Sequence, residues 1–134
     1  MAVLKHETLP IGQSEDIVRV RRATREWATS QGFSLVDQTK IVTAASELAR
    51  NTLEYGLGGE VLLEVLNDND RRGLRLTFHD KGPGIPDIEA ALTDGFTTGS
   101  GLGLGLGGAK RLVNEFDIES KPGDGTRVSI TRWK

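Results

Sequence analysis

Glu47 and Asn51 stand four residues apart in Glu47-Leu48-Ala49-Arg50-Asn51. On a helix that spacing puts them on one face, one turn from each other. A carboxylate and an amide placed this way can divide two tasks. The Asn51 carbonyl oxygen is a hard ligand of the kind Mg²⁺ takes alongside phosphate oxygens and water. The Glu47 carboxylate can act as a general base toward a hydroxyl or a water beside a phosphoryl group. By itself the pattern also describes a solvated helix face, so its weight depends on what else the chain carries.

A second stretch, His79-Asp80-Lys81-Gly82-Pro83-Gly84-Ile85, closes a strand-like run. A carboxylate at a strand end can accept from an exocyclic amine such as that of adenine. Gly82 and Gly84 permit a tight turn and the close approach of a flat ring. A strand-terminating turn in which Asp80 bonds the backbone is an equally open reading. The third stretch is Gly99-Ser100-Gly101-Leu102-Gly103-Leu104-Gly105-Leu106-Gly107-Gly108, followed by a helix-like sequence. Glycines opening onto a helix leave unpaired N–H groups and a positive dipole end aimed at one point, which suits phosphate. A flexible linker would carry serines between the glycines; here Leu102, Leu104 and Leu106 have a core to enter. Gly103 to Gly108 satisfies G-x-G-x-x-G, but no strand precedes it and no βαβ unit surrounds it, so a dinucleotide site is disfavoured. No Gly-Lys-Ser/Thr follows, so a P-loop is absent, and Lys110 reads as a surface lysine.

These residues need elements to hold them. Val3 to Ile11 reads as a strand. Ser14 caps a helix whose first turn carries Glu15 and Asp16. Ile17, Val20, Thr24, Trp27 and Ala28 form its buried face, and Arg19, Arg22 and Arg25 its solvated face, with Arg21 at the edge. After Gly32, Ser34 to Asp37 opens a second helix running to about Tyr55. Its core face is Ile41, Ala45, Leu48 and Thr52, pointing away from Glu47 and Asn51. Glu60 to Asn67 and Leu74 to His79 are strands joined by a turn through Asp68 to Gly73. Pro86 to Leu92 reads as a short helix, Thr93 to Ser100 as a loop and Leu106 to Phe116 as a helix. Asp117 to Ser120 and Thr126 to Trp133 are strands about a Pro122–Gly125 turn. Strands that do not alternate singly with helices argue against a doubly wound parallel sheet. The expected fold is an α/β (α+β) two-layer sandwich: a mixed, mostly antiparallel sheet with three main helices on one face.

The 134 residues suit one domain over 1–134. A net charge of −2 argues against a general nucleic-acid or anionic-membrane binder. The absence of cysteine excludes disulfides, thiolate zinc sites and cysteine nucleophiles. The first ten residues lack the apolar core of a signal peptide, and no apolar run nears the ~20 residues of a membrane helix. A cytoplasmic domain is the expectation.

The three stretches, in this order and spacing, resemble the GHKL (Bergerat-fold) ATP-binding superfamily of histidine-kinase catalytic domains, DNA gyrase and a heat-shock chaperone family. Its N box is similar to Glu47 to Asn51, its first glycine box to Asp80 to Gly84, and its second to Gly101 to Gly105. Within it, Ser46 to Asn51, Asp80 to Asp87, Asp94 to Thr98 and Gly108 to Phe116 resemble the RsbT-type serine/threonine switch kinases of bacterial stressosome partner-switching systems. The anti-sigma kinases are similar but less close.

The resemblance implies Mg²⁺ and ATP as cofactors. It implies Glu47 as catalytic base, Asn51 as Mg²⁺ ligand and Asp80 as adenine ligand, with Gly82, Gly84 and Ile85 around it. It implies a short lid over Asp94 to Ser100, including Thr98, Gly99 and Ser100. Gly101, Leu102, Gly103, Leu104 and Gly105 would face the phosphates, Thr126 would line the adenine site, and Arg50 would contact phosphate or partner. The implied substrates are serine or threonine hydroxyls on STAS-domain proteins of the RsbS and RsbR kind, and the implied output is activation of a phosphatase. A nucleotide-dependent binding protein of the anti-sigma type is the alternative. A histidine kinase fits less well, since no phosphoacceptor helix pair is present and His6 and His79 fall on strands.

Overall fold

A computed structural model of the protein describes residues 1–85 and 104–134, together with Ile88 and Leu92. The helix expected over 86–92, the loop over 93–100 and glycines 99, 101 and 103 lie, in whole or in most part, outside the described residues. The described elements are β1 (Ala2–Ile11), α1 (Ser14–Ser30), α2 (Leu35–Glu54), β2 (Gly59–Asp68), β3 (Arg71–Asp80), α3 (Leu104–Arg111), β4 (Glu115–Lys121) and β5 (Gly125–Trp133).

The five strands form one sheet in the order β1-β2-β3-β5-β4. Every pairing is antiparallel, so the parallel component expected of a mixed sheet is absent among the described strands. Alternation sorts the faces as the sequence suggests. Val61, Leu63 and Val65 of β2, Leu74, Leu76 and Phe78 of β3, and Val128 and Ile130 of β5 are buried on one side. Val20, Trp27 and Ala28 of α1 and Ile41, Ala45 and Leu48 of α2 join them in one apolar cluster. Ile88 and Leu92 pack against its edge, half-buried. No helix among the described residues is long and apolar enough to cross a membrane.

Four local details differ from expectation. The N-cap of α1 is Gln13, not Ser14. Asp16, expected only as a first-turn acid complementing the helix dipole, is buried, and its Oδ2 accepts from the N–H groups of Gly12 (2.8 Å) and Gln13 (3.1 Å). This reciprocal bond satisfies donors at the helix start. The β2–β3 connection is tighter than Asp68 to Gly73: only Asn69 and Asp70 lie between the strands, both with positive φ (52° and 66°), as a two-residue hairpin turn requires. His79, expected packed or half exposed, is exposed on the sheet.

The last helix is also shorter than Leu106 to Phe116. It ends at Arg111, and Phe116 sits in β4 opposite Ile130. From residue 114 the backbone pairs with β5 instead: the Asn114 N–H donates to the Thr131 carbonyl at 2.9 Å, and Asn114 Oδ1 accepts from the Trp133 N–H at 2.7 Å. Sheet pairing here outweighs helix propensity, which is a weak preference.

α2 is the element that positions the chemistry. Ser34 caps it, its Oγ accepting from the Asp37 N–H at 3.1 Å. At the other end the N–H groups of Tyr55 and Gly56 both donate to the Asn51 carbonyl, which closes the helix beneath β3.

Candidate active site

The end of α2, the end of β3, the start of β5 and α3 converge on one cleft. Leu48, Phe78, Leu106 and Val128 supply apolar walls, and Asn51, Thr52, Asp80 and Thr126 bring polar groups. Tyr55, Gly56, Pro83, Gly84 and Ile85 complete the lining. Largely apolar walls with a few convergent polar groups are what a flat, partly polar ligand needs.

Asp80 is 9% exposed. Its Oδ1 accepts from the backbone N–H of Gly82 at 2.9 Å and of Thr126 at 3.2 Å. The turn reading of Asp80 holds, since one oxygen ties the backbone, and the residue also lines the cleft. Its Oδ2 lies toward Gly56, where an added Cβ would stand 2.5 Å from it.

The glycines after Asp80 have a reason the sequence did not reveal. A Cβ at Gly82 would lie 2.7 Å from both Gly56 Cα and the Tyr55 carbonyl oxygen, so Gly82 is needed for backbone packing behind Asp80. Gly84 has φ +81°, and a Cβ there would meet the Lys121 carbonyl oxygen at 2.3 Å. Of the two, only Gly84 reaches the cleft lining. Both press the Asp80 turn against its neighbours.

Asn51 lies on the lining and its Nδ2 is buried with no hydrogen-bond partner among the described residues. Such a group is satisfied by water, a ligand or an ion. A half-turn of the amide exchanges nitrogen for oxygen, which presents a hard oxygen to a cation. This side chain fits one position of a Mg²⁺ ion otherwise held by phosphate and water. Among the described residues no group of three or more His, Cys, Asp or Glu could hold a metal.

Glu47 does not line the cleft. It sits one turn back along α2, partly exposed, with Oε1 3.2 Å from Arg50 Nη1. Arg50 is likewise off the lining and exposed. Thr98, Gly99, Ser100, Gly101, Leu102 and Gly103 lie outside the described residues. Leu104 and Gly105 are described through their backbone, which opens α3.

Of the expected site residues, Asn51, Asp80, Gly84, Ile85 and Thr126 are thus brought together. Sequence reading missed several others. Leu48 and Thr52, assigned to the core and away from Asn51, line the same cleft; the i, i+3 spacing of Leu48 and Asn51 is the signal that would have shown it. Gly56 was legible only as a helix stop. Tyr55, Phe78 and Val128 carried no mark distinguishing a cleft wall from core.

Comparison with known proteins bears on this geometry. Residues 36–134 match the family of histidine kinase-, DNA gyrase B- and HSP90-like ATPases. The chain belongs to that ATPase family. The serine/threonine-protein kinase RsbT of Bacillus subtilis is 46% identical over 118 residues, covering 88% of this chain and 89% of the relative. An anti-sigma F factor of Bacillus licheniformis is 29% identical over 129 residues, covering 91% and 86%. Among solved structures, the RsbU and RsbW domains of a Mycobacterium tuberculosis protein match with a TM-score of 0.66 at 24% identity, over 100% of this chain and 33% of the other. A chain of the SiaB–SiaC complex of Pseudomonas aeruginosa matches with a TM-score of 0.59 at 12% identity, over 98% and 91%. These last two likenesses concern the fold. They agree with an open antiparallel sheet carrying its helices on one face.

Proposed function

We propose that this protein is a Mg²⁺- and ATP-dependent serine/threonine protein kinase, a single cytoplasmic ATP-binding domain acting on a STAS-domain partner. The observation that carries the reading is the convergence of Asn51, with its unsatisfied buried amide, and Asp80 on one cleft of an ATPase-family chain. The 46% identity to a serine/threonine kinase supports the reaction class.

Asp80 Oδ2 would accept from the base amine while Oδ1 stays committed to the backbone. Phe78, Leu106 and Val128 would exclude water around the ring. Asn51 would hold Mg²⁺, which supplies charge neutralisation at the phosphates. Glu47 would take the proton from a serine or threonine hydroxyl of the partner. That oxygen would attack the terminal phosphorus, and the bond to the bridging oxygen would break to release ADP. Arg50 would orient the Glu47 carboxylate through their 3.2 Å contact. On release from its substrate the kinase would bind and activate a phosphatase.

The test is a labelled-ATP assay with candidate STAS-domain and sigma-factor partners, scored separately for transfer and for complex formation. Transfer to a STAS serine or threonine supports the kinase. Complex formation with a sigma factor and no transfer overturns it in favour of a binding protein, the reading that the anti-sigma F relative favours.

A further inference from the structure

Ser120 of β4 does not line the cleft, yet it bonds two residues that do, Ile85 and Thr126, and Gly125 beside them. Its Oγ accepts from the Ile85 N–H at 2.7 Å and donates to the Gly125 carbonyl at 3.1 Å. It also lies 2.8 Å from Thr126 Oγ1. A serine hydroxyl has one proton and two lone pairs. The carbonyl of Gly125 only accepts, so the Ser120 proton is spent there. The Ile85 N–H occupies one lone pair. The bond to Thr126 must then run from Thr126 to Ser120, and it uses the single proton of the Thr126 hydroxyl. Thr126, a lining residue, is therefore left with no hydroxyl proton to donate into the cleft. The Asp80 carboxylate beside it offers oxygens, with Oδ1 already accepting from the Thr126 N–H.

We propose that Ser120 is a specificity-determining positioning residue: by ordering these protons it makes the Asp80–Thr126 wall accept only, and so selects a purine bearing an exocyclic amine over a 6-oxo purine. The inference rests on the nucleotide-binding reading above and adds the residue that enforces its choice of base. Two acceptors match the two N–H groups of a 6-amino group. A 6-oxo group would turn its oxygen toward a carboxylate and find no donor, the kind of mismatch that rejects ligands strongly because buried polar groups go unpaired. Without Ser120, the Thr126 hydroxyl is free to rotate and donate into the cleft.

The experiment measures Mg²⁺-dependent affinity for ATP and for inosine triphosphate, which differ at the 6-position, by titration calorimetry. The wild-type protein is expected to prefer ATP. Ser120→Ala should lower that preference about tenfold, one hydrogen bond's worth. Ser120→Thr, which keeps the hydroxyl, should retain it. On a Thr126→Val background Ser120→Ala should leave the preference unchanged, since no hydroxyl remains to reorient. Should the alanine variant fail to fold, Ser120→Cys nearly keeps the volume, weakens all three hydrogen bonds and should move the ratio the same way. Equal weakening of both nucleotides by Ser120→Ala, or a ratio that still falls on the valine background, overturns the proposal and leaves the nucleotide reading intact. Failure of the wild-type protein to bind either nucleotide overturns both.

Discussion

Gly56 and Asp80 meet with no room for a methyl group between them: a Cβ on residue 56 would stand 2.4 Å from the Asp80 Cγ and 2.5 Å from its Oδ2. The glycine that ends α2 is thus the surface against which the cleft carboxylate rests. Its role is space, since its φ is not among the positive ones. Gly56→Ala should displace the carboxylate and weaken ATP binding by at least about tenfold, the value of a charge-assisted hydrogen bond. Calorimetric titration with Mg-ATP checks this, with circular dichroism to confirm the fold. An unchanged affinity would show that the carboxylate does not contact the ligand.

Asp80→Asn tests the same oxygen from the other side. Oδ1 is tied to two backbone N–H donors, so an asparagine will keep its carbonyl oxygen there and turn its NH₂ toward Gly56 and the cleft. A donor then faces the amine donor of the base. ATP affinity should fall roughly 10- to 100-fold, and inosine triphosphate should lose much less. Parallel titrations with both nucleotides decide it; equal losses would refute a contact at the 6-position.

How much of this was legible in the sequence follows from what kind of signal each residue leaves. Periodicity revealed the buried faces: Ile41, Ala45, Leu48 and Thr52 of α2, and the alternating rows of β2 and β3, are buried as the pattern implied. Chemistry-bearing side chains in short motifs, Asn51 one turn after Glu47 and Asp80 ahead of its glycines, were also legible, and the structure brings Asn51 and Asp80, though not Glu47, to one cleft. Positions whose role is three-dimensional space left no comparable mark. Gly56 and Gly82 are 26 residues apart in the chain yet touch behind Asp80; no local pattern announces that contact. The end of α3 was misread for a related reason. Asn114 to Phe116 could continue a helix, and only the partner strand β5 decides otherwise. Ser120 looked like any serine near a turn, and its three partners come from the segment after β3 and from the start of β5.

Glu47 sits off the lining and one turn from Asn51, which separates binding from transfer. Glu47→Ala should leave the ATP affinity within about twofold and lower phosphate transfer to the partner about 10²- to 10⁴-fold, the usual worth of a general base. Single-turnover transfer of labelled phosphate, with affinity measured alongside, reads the two effects apart. Undiminished transfer rejects Glu47 as the base.

The remaining prediction concerns acid stability and rests on Asp37. Arg132 of β5 donates from Nη2 to Asp37 Oδ1 at 2.6 Å and from Nη1 to the Leu112 carbonyl at 2.9 Å, tying the start of α2 to the residue after α3. The hydrogen bond from Arg132 holds the Asp37 carboxyl below its ordinary value of 3.8; burial opposes the shift, and the Arg132 charge reinforces it. A carboxyl whose folded-state value is depressed adds stability that is fully present above its unfolded value and is lost as pH falls through the folded one. Asp37→Asn should therefore destabilise the protein near pH 7 by about 1 to 2 kcal/mol. The gap to the wild-type protein should narrow once the pH drops below about 4 and go on closing toward still lower pH. Asp16, also held low by the Gly12 N–H, titrates in both proteins and cancels in the difference. Urea unfolding at several pH values measures the gap directly. A gap that stays constant across the acid range would mean that Asp37 stabilises the fold through contacts indifferent to its charge.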